Sequence, residues 1–236
     1  MTASLSAPGS SVMGRSAWLE PWLATLPAPS GPLEAVQVRG RRALREQPVP
    51  SSRQEDWRFT DLSLLQQLEQ APGAGDAAAA ASAAALPPPA PGAFRLVLDG
   101  RSDPLDGVTL PEGLQALNPL EIGQGLGHTL AATGCEQHWP VELNHAAAGT
   151  LLALRVTARH SVRLELVSAA GAGLLPLRLL LVLEEKAALE VNQLLLAPGP
   201  GSISLVLEAH LARSARLHHG LVALGQPDAA LLAHLA

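Results

Sequence analysis

From residue 162 onward the chain is written in short blocks, apolar residues either alternating with polar ones or running together. VRLELVS begins at Val162, LRLLLVL at Leu177, LEVNQLLL at Leu189, ISLVLEAHL at Ile203, ARLHHGLVAL at Ala215, and a last block near Leu231. Blocks of this kind predict strands. Neighbouring blocks start roughly 12–16 residues apart, and every second one roughly 26–28 apart. A fixed period of that size predicts stacked coils, each burying its face against its neighbours. Two strands per turn would give a flattened β-helix in a mainly β protein. An antiparallel sandwich or jelly roll also repeats its strands at short intervals. Against that alternative, several connections lack Asn-Gly or Asp-Gly hairpin signals, and LLPLRLLLVL (174–183) is apolar on both faces.

Upstream the period changes. Trp18, Leu19, Trp22, Leu23 and Leu26 fall at helical spacing, with Pro21 at a first turn or a kink. Leu33, Val36, Ala43 and Leu44 predict a second helix over 33–47, with Arg39, Arg41, Arg42 and Arg45 on a solvated opposite face. Residues 71–92, APGAGDAAAAASAAALPPPAPG, read as a low-complexity linker. FRLVLDG (94–100) predicts a strand ending in an Asp-Gly turn, and 103–140 mix loop with short elements. From His138 onward the chain reads as strands. The expected organisation is a helical arm over 1–70, a linker over 71–92, and a β core over 93–236.

Between arm and linker lies QEDWRFTDLSLL (54–65), with scarce aromatics set among charges. In an extended segment Trp57 and Phe59 project to one side, Arg58 and Thr60 to the other. Two rings on one side would bury enough surface to pin the arm to the β core, leaving Glu55 and Arg58 at the wet rim. Thr60, Asp61 or Ser63 could cap a short helix through Leu62, Leu64, Leu65 and Leu68.

Composition narrows the chemistry. Hydrophobic residues make up 47% but aromatics only 3%, so the core must be aliphatic. A net charge of -5 argues against nucleic-acid partners. One lysine, Lys186, stands against fifteen arginines, a coding bias rather than a chemical signal. Cys135 is the single cysteine, which leaves no internal disulfide and no cysteine zinc cluster. No secretory signal and no membrane-length apolar run is present, so a cytoplasmic chain without membrane contact is expected.

Cys135 and His138 have metal-like spacing, but a site needs further ligands, which His145 or His128 could supply only if the loop folds back. His218 and His219 must face opposite sides of a strand. His210 and His234 read as isolated surface or satisfied positions, and Glu184-Glu185-Lys186 as a solvated turn. There is no phosphate loop, and GQGLGHT (123–129) lacks the dinucleotide spacing. No nucleophile elbow is present. The residues therefore predict no catalytic group and no bound cofactor.

Two stretches do carry a family resemblance. RRALREQPVPSSRQEDWRFTDLSLL, with Glu55, Trp57, Arg58, Phe59 and Thr60, resembles the N-terminal signature of the SufB/SufD family of iron–sulfur cluster assembly proteins. WPVELNHAAAGTLLALRVTARHSVRLELV (139–167) is similar to that family's Leu-Asn-x-Ala entry into its β-helix, with Asn144 and Ala146 at the recognisable positions. The match covers about 33–68 and 139–236 and is closer to SufD than to SufB. It implies a right-handed parallel β-helix and a non-catalytic scaffold that works with a SufB-like subunit and a SufC-type ATPase. A transient iron–sulfur cluster would belong to the assembled complex. Family members continue into further coils and C-terminal helices, so the binding regions for those partners are expected to lie outside this chain. A stack interrupted at LLAHLA would also favour homodimers. The rival readings are a β-helix lyase or esterase acting on carbohydrate, and a self-associating β-helix binding module.

Overall fold

The computed structural model describes residues 18–62, 82 and 85–236. Among the described residues nine strands wind into a parallel β-helix: β1 (Ala93–Val97), β2 (Leu114–Ala116), β3 (Leu152–Val156), β4 (Ser161–Ala169), β5 (Leu174–Leu183), β6 (Ala188–Ala197), β7 (Ser202–Leu211), β8 (Arg216–Gly225) and β9 (Ala230–Leu235). The six strand blocks expected from the sequence are β4 to β9. β1 matches FRLVLDG and β3 lies within the stretch expected as strand from His138 onward, whereas β2 falls in the stretch expected to mix loop with short elements. The strands form a four-stranded sheet, β1-β4-β6-β8, and a five-stranded sheet, β2-β3-β5-β7-β9, and from β3 onward successive strands alternate between the two. All pairs are parallel except β2 with β3. Ala188 stands beside Arg216, and Ser202 beside Ala230, so one coil of two strands advances 28 residues.

Alternation decides which side chains enter the coil. Leu175, Leu177, Leu179 and Leu181 of β5 meet Leu189 and Val191 of β6 and Leu205 of β7 in one aliphatic core. Glu184–Lys186 is a corner, as expected, with Lys186 at φ 64°; Ser214, one coil later, repeats it at φ 60°. The outward side of β5 is apolar too because it does not meet water. It is covered by α3 (Pro119–Gly125), α4 (His128–Ala132) and α5 (Trp139–Ala147), and the arm helices α1 (Leu19–Thr25) and α2 (Glu34–Glu46) pack on α5. Asn118 caps α3 in a reciprocal pair with Glu121, each side chain taking the other's backbone N–H at 3.0 and 2.9 Å.

Residues 139–147 correct the expectation of strand from His138 onward. They form α5, with Pro140 in its first turn and Trp139 and residues 141–146 all buried. A helix wrapped by protein on every side has no polar stripe, so it carries no amphipathic signature. The arm corrects a second expectation. Arg39 and Arg41 are half-buried rather than solvated: Arg41 donates to the carbonyls of Ala146 at 3.3 Å and Pro27 at 2.5 Å. Only Arg42 and Arg45 of the basic run are exposed. Gln37, buried, donates to Ala148 O at 2.7 Å and accepts from Ser30 N at 2.9 Å.

Where α2 crosses α5 the helices touch at Gly40. A Cβ there would lie 2.7 Å from both Ala146 N and His145 Cβ. Gly40→Ala should therefore destabilise the protein by about 1–3 kcal/mol despite alanine's better helix propensity. A fall in urea midpoint at constant slope is the expected reading.

Most of the 71–92 linker, and the short helix expected through Leu64, Leu65 and Leu68, lie outside the described residues. The linker's end does not hang free: Ala90 N donates to Glu165 at 3.0 Å, and Arg163 donates to Pro91 O at 3.4 Å. Among the described residues no helix is long and apolar enough to cross a membrane.

Candidate functional site

The polar chemistry of the chain concentrates where one would least expect it, between the helices and the five-stranded sheet. Arg178 on β5, Ser204, Glu208 and His210 on β7, and His234 on β9 all occupy outward strand positions on the side covered by α4 and α5.

Asn144 is fully buried on α5. Its amide nitrogen donates to Leu177 O at 3.1 Å, Ser204 O at 2.9 Å and Ser204 Oγ at 3.2 Å, so one side chain ties the helix to two successive coils. Beside it, Arg178 and Glu208 form an ion pair with both side chains at 0% exposure. Glu208 also accepts from the backbone N–H of Gly127 at 2.8 Å and of Leu130 at 3.3 Å, where α4 begins. Burial pushes the Arg178 guanidinium down to about 10, opposed by the Glu208 carboxylate. It stays charged at neutral pH.

A second cluster joins arm to cover. His145 Nδ1 lies 2.8 Å from Arg39 Nη2 and 3.2 Å from Glu142 Oε2. A guanidinium only donates, so in the neutral ring Nδ1 accepts from Arg39, and Glu142 is held instead by Arg39 Nε at 3.6 Å. Burial lowers the His145 pKa to about 4; Glu142 opposes that shift, while Arg178 and Arg39 add to it. The folded-state value lies below the unfolded one near 6.5, so the unfolded chain binds the proton first. Stability from this residue is present above about pH 6.5 and is lost as pH falls toward 4, up to about 3 kcal/mol. Urea midpoints measured between pH 7 and 4 should fall, and His145→Gln should flatten that decline.

The isolated histidines of the sequence turn out to be paired. His128 meets His210 with ring centroids 5.6 Å apart, and His138 meets His234 edge-on at 5.8 Å. Burial is the main cause lowering the pKa of His210 and of His234. On the other sheet His218 and His219 face opposite ways, as expected: His218 is exposed, and His219 turns inward to Gln193 at 3.1 Å.

The aromatic motif departs from its expected role as a clasp. Glu55–Trp57 form a 3-10 turn rather than an extended strand, so Trp57 and Phe59 do not share a side. Trp57 is half-buried, against a cavity of about 390 Å³ also lined by Pro48, Pro50, Trp139 and Pro140. Phe59 is 92% exposed, with the Arg58 guanidinium 5.5 Å from its ring centre. Thr60 N donates to Trp57 O at 3.1 Å, and the exposed Glu55–Arg58 pair, at 4.0 Å, contributes little. The arm is anchored instead by Trp18 and Trp22, edge-on at 6.0 Å, packed with Leu44, Trp139 and Leu143.

Cys135 and His138 are not brought together as ligands. The Cys135 thiol lies 3.5 Å from Thr133 O, while the His138 ring meets His234 edge-on. Among the described residues no group of three or more His, Cys, Asp or Glu is placed to hold a metal ion. Arg178 and Glu208 are what a reading of the sequence misses. The available signal was a lone charge inside LLPLRLLLVL and another inside ISLVLEAHL, at outward positions one coil and two residues apart. No family model matches the chain, and neither a curated protein nor a solved structure matches it.

Proposed function

We propose that this protein is a non-catalytic scaffold subunit of an iron–sulfur cluster assembly complex of the SufBCD type. It cooperates with a SufB-like subunit and a SufC-type ATPase in the cytoplasm. The observation that carries the reading is the role of Asn144. The residue that marks the family-like entry into the β-helix is the one whose amide ties the helical cover to two coils. The second family-like stretch leaves Phe59 exposed beside Arg58, free to meet another protein rather than its own core. A nascent cluster would be cargo of the assembled complex. Affinity purification of the protein from its native cells under reducing conditions should recover a SufB-like subunit and a SufC-type ATPase. Recovery of neither removes the proposal.

A second reading has one observation in its favour. The outer face of the four-stranded sheet carries a shallow cavity of about 460 Å³ lined by Ser161, Glu190, Asn192, His218 and Gly220. Arg163 pairs with Glu190 at 3.3 Å beside it. A row of polar groups on parallel strands is where a β-helix carbohydrate lyase or esterase would work. Glycan-array binding lost in Glu190→Gln would favour this reading over the scaffold.

A further inference from the structure

The stretches 47–60 and 137–140, far apart in the chain, meet around one cavity between the segment that follows α2 and the start of α5. Its volume of about 390 Å³ falls in the size range of small-molecule sites, about 300–1,000 Å³. Trp57, half-buried, and Trp139, buried, both line it, and Pro48, Pro50 and Pro140 complete its apolar walls. Asp56 supplies the one carboxylate, and among the described residues no arginine or lysine lines the cavity. We propose that this cavity binds a small organic cation of the quaternary-ammonium class, its charge held against the indoles and the Asp56 carboxylate.

The chemistry of the walls selects the charge of the guest. Indole carries negative potential on its ring faces and attracts cations more strongly than the other aromatic side chains. Each proline presents a carbonyl oxygen but no N–H. An anion would meet Asp56 without any guanidinium or ammonium side chain in the walls to offset it. A sugar would need several polar groups held in fixed directions, and two of the amides here are committed elsewhere. Gln47 Nε2 donates to Gln137 O at 3.4 Å, and Gln54 Oε1 accepts from Ser51 N at 2.9 Å. A methylated ammonium asks for no such directed partner; it needs apolar and aromatic contact together with negative potential. The basic groups of this region are also engaged away from the cavity. Arg45 pairs with Glu20 at 3.3 Å and Arg58 with Glu55 at 4.0 Å, while His138, which lines the cavity, is set edge-on to His234. Arg53 is exposed and is not among the lining residues. Two residues beyond Trp57 the same kind of contact is already made within the chain, where the Arg58 guanidinium lies 5.5 Å from the centre of the exposed Phe59 ring.

Choline and its neutral carbon isostere, 3,3-dimethylbutan-1-ol, share one shape and differ in charge, and each gives a single sharp methyl signal. Saturation-transfer NMR titrations of the full chain should show choline binding with a dissociation constant of about 1 mM or lower. The isostere should bind at least about threefold more weakly. Trp57→Leu should weaken choline binding at least about threefold, and Asp56→Asn about fivefold. Asp56 is exposed, so the urea midpoint of Asp56→Asn should match the wild type, and its loss of binding then reports the cavity and not the fold. That variant carries the comparison by itself if Trp57→Leu does not fold. Glu190→Gln, at the cavity on the four-stranded sheet, should leave choline binding unchanged. A peptide bearing trimethyllysine that binds more tightly than choline would assign the cation to a protein side chain, and weaker binding would assign it to a free solute. Equal affinities for choline and its isostere would overturn the proposal. So would choline binding indifferent to both the Trp57 and Asp56 substitutions, or binding of cellobiose in place of choline.

Discussion

Arg178→Met should cost about 3–5 kcal/mol, and adding Glu208→Leu should return much of that loss. The ion pair lies at 0% exposure on both sides, so removing the guanidinium leaves the Glu208 carboxylate buried with only the Gly127 and Leu130 N–H groups as partners. Removing both charges takes away their attraction but also the larger desolvation cost of holding them from water. What remains missing in the double variant is the seat for the start of α4, since both N–H groups lose their acceptor. The expected order of urea midpoints is wild type, then double variant, then Arg178→Met. A double variant less stable than the single one would mean that the pair is not buried as described.

Asn144→Asp should be more damaging at pH 7 than Asn144→Ala, although aspartate is nearly the same size. The amide donates to Leu177 O, Ser204 O and Ser204 Oγ. A carboxylate cannot donate, so Asp would place a charge against two carbonyl oxygens in a fully buried position. That should cost about 3–5 kcal/mol. Alanine leaves the two acceptors without this donor and opens a small void, for about 2–4 kcal/mol. Chemical denaturation at pH 7 gives the ranking directly. Equal stability of the two variants would contradict the bridging role.

The strands β4 to β9 were legible because each is a short block of alternating or, as in β5, continuous apolar residues, and the register advances by nearly the same count every coil. β2 was not, because three residues are too few to show a period. α5 was hidden for the opposite reason: its sequence WPVELNHAA is buried on all sides, so no polar face marks it as a helix. The motif around Trp57 was misjudged because an extended backbone was assumed, and the 3-10 turn sends Phe59 to solvent. The histidine pairs join residues 82 and 96 positions apart, across elements whose docking no local pattern records. Asn144 could be singled out from the sequence, but not its donor role, which exists only once two coils are stacked.

The cover and the coils form one unit only if residues 139–147 are a buried helix locked through Asn144. Hydrogen–deuterium exchange measured on peptides spanning 139–147, 174–183 and 202–211 tests this most directly. Amides of 141–147 should be protected about as strongly as those of β5 and β7, and Asn144→Ala should release them selectively. Exchange at 139–147 as fast as in an exposed loop, while β5 and β7 stay protected, would contradict it.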